Sequence, residues 1–136
     1  MIIRIFPPLR RIVRRRRRKP VPDEALRAEA KAWLVPRLAQ LAAKHGFTYN
    51  RVFIKNNVSN WGSCSTKGNI NLNMQLMRLP EELRDYVILH ELCHLKQLNH
   101  GAEFHALLNS LCDGREKELR SQLRRYHIGA NGASAS

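Results

Sequence analysis

The sequence predicts an α+β fold: a leading helix, a small group of short strands, a second helix that is apolar around most of its circumference, and further helices at the C-terminal end. Three observations carry this. Apolar residues recur at helical spacing from Leu26 to Ala42, they alternate with polar ones from Ile70 to Leu76, and they crowd every side of the stretch from Leu83 to Leu95. Taken in order, Asp23 after Pro22 is placed to cap a helix whose stripe is Leu26, Ala30, Trp33, Leu34, Leu38, Leu41 and Ala42, ending before Gly46. Pro36 has no backbone N–H to donate, so it is expected to kink this helix or begin a second one. Arg51 to Lys55 reads as a strand. Trp61 to Ser65 and Ile70 to Leu76 read as a hairpin turning at Lys67-Gly68-Asn69. In its second arm Ile70, Leu72, Met74 and Leu76 alternate with Asn71, Asn73 and Gln75, which predicts one core face and one polar face. Pro80, Glu81 and Glu82 then open the apolar helix, where proline at the first turn and acids near the positive end of the helix dipole are both favourable. Asp113 and Glu116 have the spacing of a capping box for a last helix running to about Tyr126. There is no internal repeat.

A chain of 136 residues with 43% hydrophobic content can bury one core and is too short for two substantial domains. Cys64, Cys93 and Cys112 are an odd number without CxxC spacing, which argues against a disulfide framework and for a reducing, cytoplasmic compartment. The net charge of +13 is concentrated: Arg4, Arg10, Arg11, Arg14 to Arg18 and Lys19 put nine of the 24 basic residues in the first 20 positions, with no acid among them. The expected organisation is a basic arm over 1–20 that is disordered alone, a folded domain over 21–127 and a disordered tail over 128–136. The arm can engage nucleic acid or another polyanion in a salt-dependent way. The competing reading is a solvated arm with no dedicated partner, because no aromatic residues interleave the arginines to stack on bases. Ile2, Ile3, Ile5 and Phe6 are interrupted by Arg4 and Pro7-Pro8 before an export signal can form. No stretch approaches the roughly twenty apolar residues of an integral membrane segment.

The chemistry lies in His90-Glu91-Leu92-Cys93-His94. On a helix, the i, i+4 spacing sets two imidazoles on one face a turn apart, so both can reach one Zn²⁺ while Glu91 lies beside it as a general base. The alternative is a hydrogen-bonded core cluster without metal. Burying two imidazoles and a carboxylate without compensation is costly, and a metal supplies that compensation. A catalytic zinc usually keeps three protein ligands and an open position. His100, six residues beyond His94 and flanked by the helix terminators Asn99 and Gly101, is the leading third ligand, and His105 is its competitor. Cys64 is a further candidate ligand, but a small semi-buried strand residue is its better default.

Trp61-Gly62-Ser63-Cys64-Ser65, Gly68 to Asn73, Leu79-Pro80, Asp85-Tyr86-Val87, His90 to Leu95, and Asn99-His100 with Phe104 together resemble the YgjP-like metallopeptidase domain, which is similar to the WLM and SprT-like zincins. The resemblance covers about residues 25–126. It implies a minimal zincin-like fold, with a small antiparallel sheet packed on the active-site helix and helices flanking it. It also implies zinc ligands at His90, His94 and His100 with Glu91 catalytic. The chain departs from the family in two places. An arginine-rich arm replaces the usual β-rich N-terminal portion, and His105 stands where an aromatic residue often follows the phenylalanine.

The expected reaction is peptide-bond hydrolysis on a peptide or protein, with Glu91 taking a proton from zinc-activated water and passing it to the leaving amine. A sheet edge near the site would suit an extended peptide by strand addition. Trp61 is read as a core residue before a cleft residue, and His105, Tyr126 and His127 are the candidates for steadying the oxyanion. Two alternatives belong to other classes. One is a metal-dependent nucleoside triphosphate pyrophosphatase, against which stand the missing phosphate-cradling glycine loop and the missing carboxylate cluster for Mg²⁺. The other is a nucleic-acid-binding protein with a structural zinc, against which stands a ligand set of three histidines instead of four closed positions.

Overall fold

A computed structural model describes residues 2–4 and 24–128. Residues 5–23, with Asp23 and most of the basic arm, and residues 129–136, with most of the expected tail, lie outside the described residues. The elements are β1 (Ile2–Arg4), α1 (Glu24–His45), β2 (Val52–Lys55), β3 (Gly62–Ser65), β4 (Ile70–Asn73), α2 (Glu81–Cys93), α3 (Ala102–Leu111) and α4 (Glu116–Leu123).

The fold is α+β, as its periodicities predict. α1 is a single helix of 22 residues that runs through Pro36, so no second helix begins there. Leu34 and Leu38, buried on either side of the proline, hold the helix to the core. Pro36 itself is exposed, as is Ala32, whose carbonyl the missing N–H would have met, so water can satisfy that group. Gly46, with φ +77°, ends the helix in the left-handed region open to glycine.

The sheet order is β1-β3-β4-β2. β3 and β4 form the expected hairpin, with Cys64 opposite Ile70 and Gly62 opposite Leu72. β2 pairs with β4 in parallel, so the sheet is mixed and not wholly antiparallel. β2 and β4 are joined through β3, and a strand that returns after an intervening hairpin arm can run in the same direction as the first. The outer strand β2 alternates half-buried Val52 and Ile54 with exposed Phe53 and Lys55.

β4 departs from its alternation. The strand ends at Asn73 and a 3₁₀ turn takes over from Met74 to Arg78. Asn71, Asn73 and Gln75, expected on a polar outer face, are all buried. Their partners explain it. Asn71 Nδ2 donates to Ser63 Oγ at 3.1 Å, Asn73 Nδ2 donates to the carbonyls of Asn57 and Asn60 at 2.9 and 3.0 Å, and Gln75 Nε2 donates to Asn56 Oδ1 at 3.1 Å. The Asn73 and Gln75 amides tie the 56–60 loop to the sheet, the Asn71 amide ties β4 to β3, and all three compensate their own burial.

α2 is buried along nearly its whole length, with Leu83, Tyr86, Val87, Ile88, Leu89, Leu92 and Cys93 all in the core. It lies under β3 and β4 and against α1, α3 and α4. The capping box does not form. Asp113 turns with φ +56°, Arg115 becomes the cap of α4, and the Glu116 N–H is taken by Asn109 Oδ1 at 3.1 Å. Ile128, assigned to the tail, packs on the core. No helix among the described residues is long and apolar enough to cross a membrane.

Candidate metal centre

α2 delivers His90 and Glu91 from its last turn and His94 from its C-cap, and the following segment curls back to bring His100 to them. Nitrogens of His90, His94 and His100 all lie within 4.8 Å of one another, the only such group of metal-ligating side chains among the described residues. His90 and His94 are buried, while His100 is exposed, so the cluster opens on its His100 side.

The tautomer of His94 is set by its surroundings. Its Nδ1 lies 3.2 Å from the carbonyl of Gln97, an acceptor, so Nδ1 carries the proton and Nε2 keeps the lone pair. That Nε2 lies 3.1 Å from His100 Nε2. Two imidazole nitrogens this close require a proton or a cation between them, which is the arrangement a metal would complete. Burial, and then the neighbouring His100, pushes His94 down to about 4. His90 is driven well below the usual histidine range by burial first and by His94 and His100 next, and His100 is lowered by burial and then by His105. All three rings are therefore held neutral, the form in which imidazole binds a metal.

Phe104 is the residue that reasoning from spacing missed. It is fully buried on α3, and its ring centroid lies 4.9, 4.6 and 4.8 Å from those of His90, His94 and His100. It is stacked on His94 and edge-on to the other two, fixing all three rings from one side. Its place four residues after His100 and its part in the family resemblance were the available signals.

Glu91 is completely buried, and neither carboxylate oxygen has a hydrogen-bond partner; the nearest basic group is His90 Nδ1, 4.0 Å from Oε2. Burial alone raises its pKa well above the ordinary carboxylate range. Glycine at position 62 makes room for it: a Cβ there would meet Glu91 Oε2 at 3.3 Å and the Asn71 carbonyl at 3.1 Å. A buried carboxylate with nothing to accept from, beside three neutral imidazoles, fits a bound cation and water.

The other sequence candidates fall elsewhere. His105 is outside the cluster, with its Nδ1 2.7 Å from Glu116 Oε2. Cys64 is buried on β3, its thiol pushed up to about 12 by burial and then by Glu91, and it is likewise outside the cluster. Trp61 is a core residue. Tyr126 is half-buried against the core and His127 is exposed, and neither joins the ring contacts around the histidines. The strand against Glu91, β3, is paired on both sides, so the sheet edges are β1 and β2.

The family model for the YgjP-like metallopeptidase domain matches residues 9–126. Among solved structures, the chain resembles the metallopeptidase zymogen of Pyrococcus abyssi abylysin, at 26% identity and a TM-score of 0.56, over 65% of this chain and 91% of that one. No curated protein matches the sequence.

Proposed function

Because the chain belongs to the YgjP-like metallopeptidase domain family, we propose that it is a zinc-dependent peptidase in which His90, His94 and His100 hold the metal and Glu91 moves the proton. The observation that carries this reading is Glu91: a carboxylate excluded from water and without a hydrogen-bond partner, beside three converging imidazoles. Three nitrogen ligands with one exposed side suit zinc and leave a position open for substrate.

A bound Zn²⁺ supplies Lewis acidity to the scissile carbonyl and to the attacking water. The chain's own residues supply the rest. The Gln97 carbonyl fixes the tautomer of His94, and Phe104 holds the three rings in place. Glu91 accepts a proton at a carboxylate oxygen and returns it to the leaving amine. The substrate is a peptide or protein. The three buried, unpaired cysteines support a cytoplasmic setting. The catalytic unit we propose is residues 21–127 extended by Ile128 and by β1, which joins the sheet beside β3, with the arginine-rich segment between β1 and α1 as a site for nucleic acid.

The test is casein cleavage by the zinc-loaded chain beside nucleoside triphosphate turnover, each with Glu91→Gln. Cleavage of casein that disappears in the variant supports the reading. Turnover confined to nucleotides removes it.

A further inference from the structure

We infer that His105 is a substrate-positioning residue, whose Nε2 accepts a hydrogen bond from a backbone N–H of the peptide bound at the metal centre. The inference rests on the peptidase reading and adds a residue to it. His105 follows Phe104 directly, and its ring centroid lies 5.3 Å from that of Phe104 and 6.4 Å from that of His100. It therefore stands on the open side of the cluster, next to the most exposed of the three histidines.

The two nitrogens of this ring are in different situations. Nδ1 is 2.7 Å from Glu116 Oε2, and the Glu116 side chain is only 7% exposed, with Arg120 Nη1 3.6 Å from the same oxygen. A carboxylate can only accept, so Nδ1 must donate, and of the two neutral tautomers only the one with its lone pair on Nε2 makes this bond. Nε2 has no hydrogen-bond partner among the described residues, and the side chain is 38% exposed.

A tie between α3 and α4 would need only the donor at Nδ1. An imidazole adds a second nitrogen on the opposite edge of a ring that the carboxylate has already oriented, and an acceptor on a site rim is the complement of a peptide N–H. Glu116 acts through His105 as its positioning residue.

The test separates the two nitrogens. In His105→Asn the side-chain amide N–H takes the place of Nδ1 and can keep the Glu116 bond, while nothing replaces Nε2. Calorimetric binding of β-casein to the zinc-loaded Glu91→Gln chain, which cannot turn it over, is compared with and without His105→Asn. The expected result is unchanged zinc content and melting temperature with affinity about fivefold to tenfold weaker. In the chain with Glu91 intact, KM rises by about the same factor while kcat holds, as loss of uniform binding requires. Glu116→Ala, which removes the acceptor for Nδ1, weakens binding as well, and adding it to His105→Asn adds little, because both act through one atom. Should His105→Asn fail to fold, His105→Phe, which has no acceptor at the ring edge, is read for the same loss of affinity. Affinity within about twofold of the parent in a folded variant overturns the inference. So does a Glu91→Gln chain that binds no casein. Casein cleavage by the unaltered chain keeps the peptidase reading standing whichever way His105 falls, whereas no cleavage removes both.

Discussion

The candidate site is built from two unlike halves. The inner half, His90, Glu91 and His94, comes from one turn at the end of α2 and is 4, 0 and 0% exposed. The outer half, His100 and His105, comes from the segment beyond α2 and from α3, and it meets solvent. The inner half is placed by helical periodicity and locked by the core. The outer half depends on the chain returning, on the Phe104 ring and on pairings with α4. A hydrolytic site needs both properties: a dry base and rigid ligands on one side, and a side from which substrate can enter on the other.

The largest effect expected from breaking this contrast is at Glu91. Glu91→Gln keeps the shape of the side chain and removes its ability to take a proton, so casein hydrolysis should fall by about 10²- to 10⁴-fold. Zinc content, read by elemental analysis, should stay near one per chain. Full activity in the variant would mean that the buried half does not perform the chemistry.

Next is the outer ligand. A metal that binds only the folded chain, present at about a thousand times its Kd, contributes roughly 4 kcal/mol. Adding a chelator to the unaltered protein should therefore lower its melting temperature by about 10 °C. In His100→Ala two imidazoles remain on α2 but the third is gone, so the chelator should move the melting temperature far less. The same variant should lose zinc on dialysis, whereas His105→Ala should keep it. Equal chelator sensitivity in unaltered protein and His100→Ala would show that the outer half does not hold the metal.

A smaller effect is expected where the sheet meets the inner half. Gly62→Ala presses a methyl group on the Asn71 carbonyl and on Glu91 Oε2, so both must give, the carboxylate more readily because it is a side-chain end. A shift of a few tenths of an ångström should lower kcat about tenfold, given that about 1 Å can cost a hundredfold. Gly101→Ala, on the outer side with no atom within 4 Å of the added carbon, is the control and should leave kcat unchanged.

The two halves were also unequally legible in the sequence. His90, Glu91 and His94 could be brought together on paper because a helix fixes residues four apart, and α2 could be recognised as buried from its own composition. His100 required a resemblance or a weighing against His105, because its position depends on how the chain turns after α2. The Glu116 partner of His105 was hidden for a different reason. Its spacing from Asp113 mimics a capping box, and only the packing of α4 on α3 turns its carboxylate inward. Asn71, Asn73 and Gln75 misled in the same way, since an alternating pattern reports polarity but not whether a loop folds over the polar face. The direction of β2 depends on which strand it pairs with, and nothing in four residues encodes that.

The smallest effect expected concerns what makes the inner half rigid. Arg37 of α1 donates to both oxygens of Asp85 on α2, at 2.8 and 2.7 Å, the only bidentate ion pair described between those helices. It lies at the far end of α2 from the histidines, and its side chains are 35 and 27% exposed. A pair so accessible to water contributes at most about 1 kcal/mol, screened further by salt. Beside it, Leu34 and Leu38 of α1 and Leu83 and Val87 of α2 are buried in the core that both helices share, and apolar burial of that kind contributes about 1.5–3 kcal/mol per side chain. Arg37→Ala should therefore cost about 1 kcal/mol or less in a urea titration and leave zinc content and kcat where they were. A loss of metal or activity in that variant would mean that the position of α2, and with it His90, Glu91 and His94, is set by a surface ion pair and not by the core.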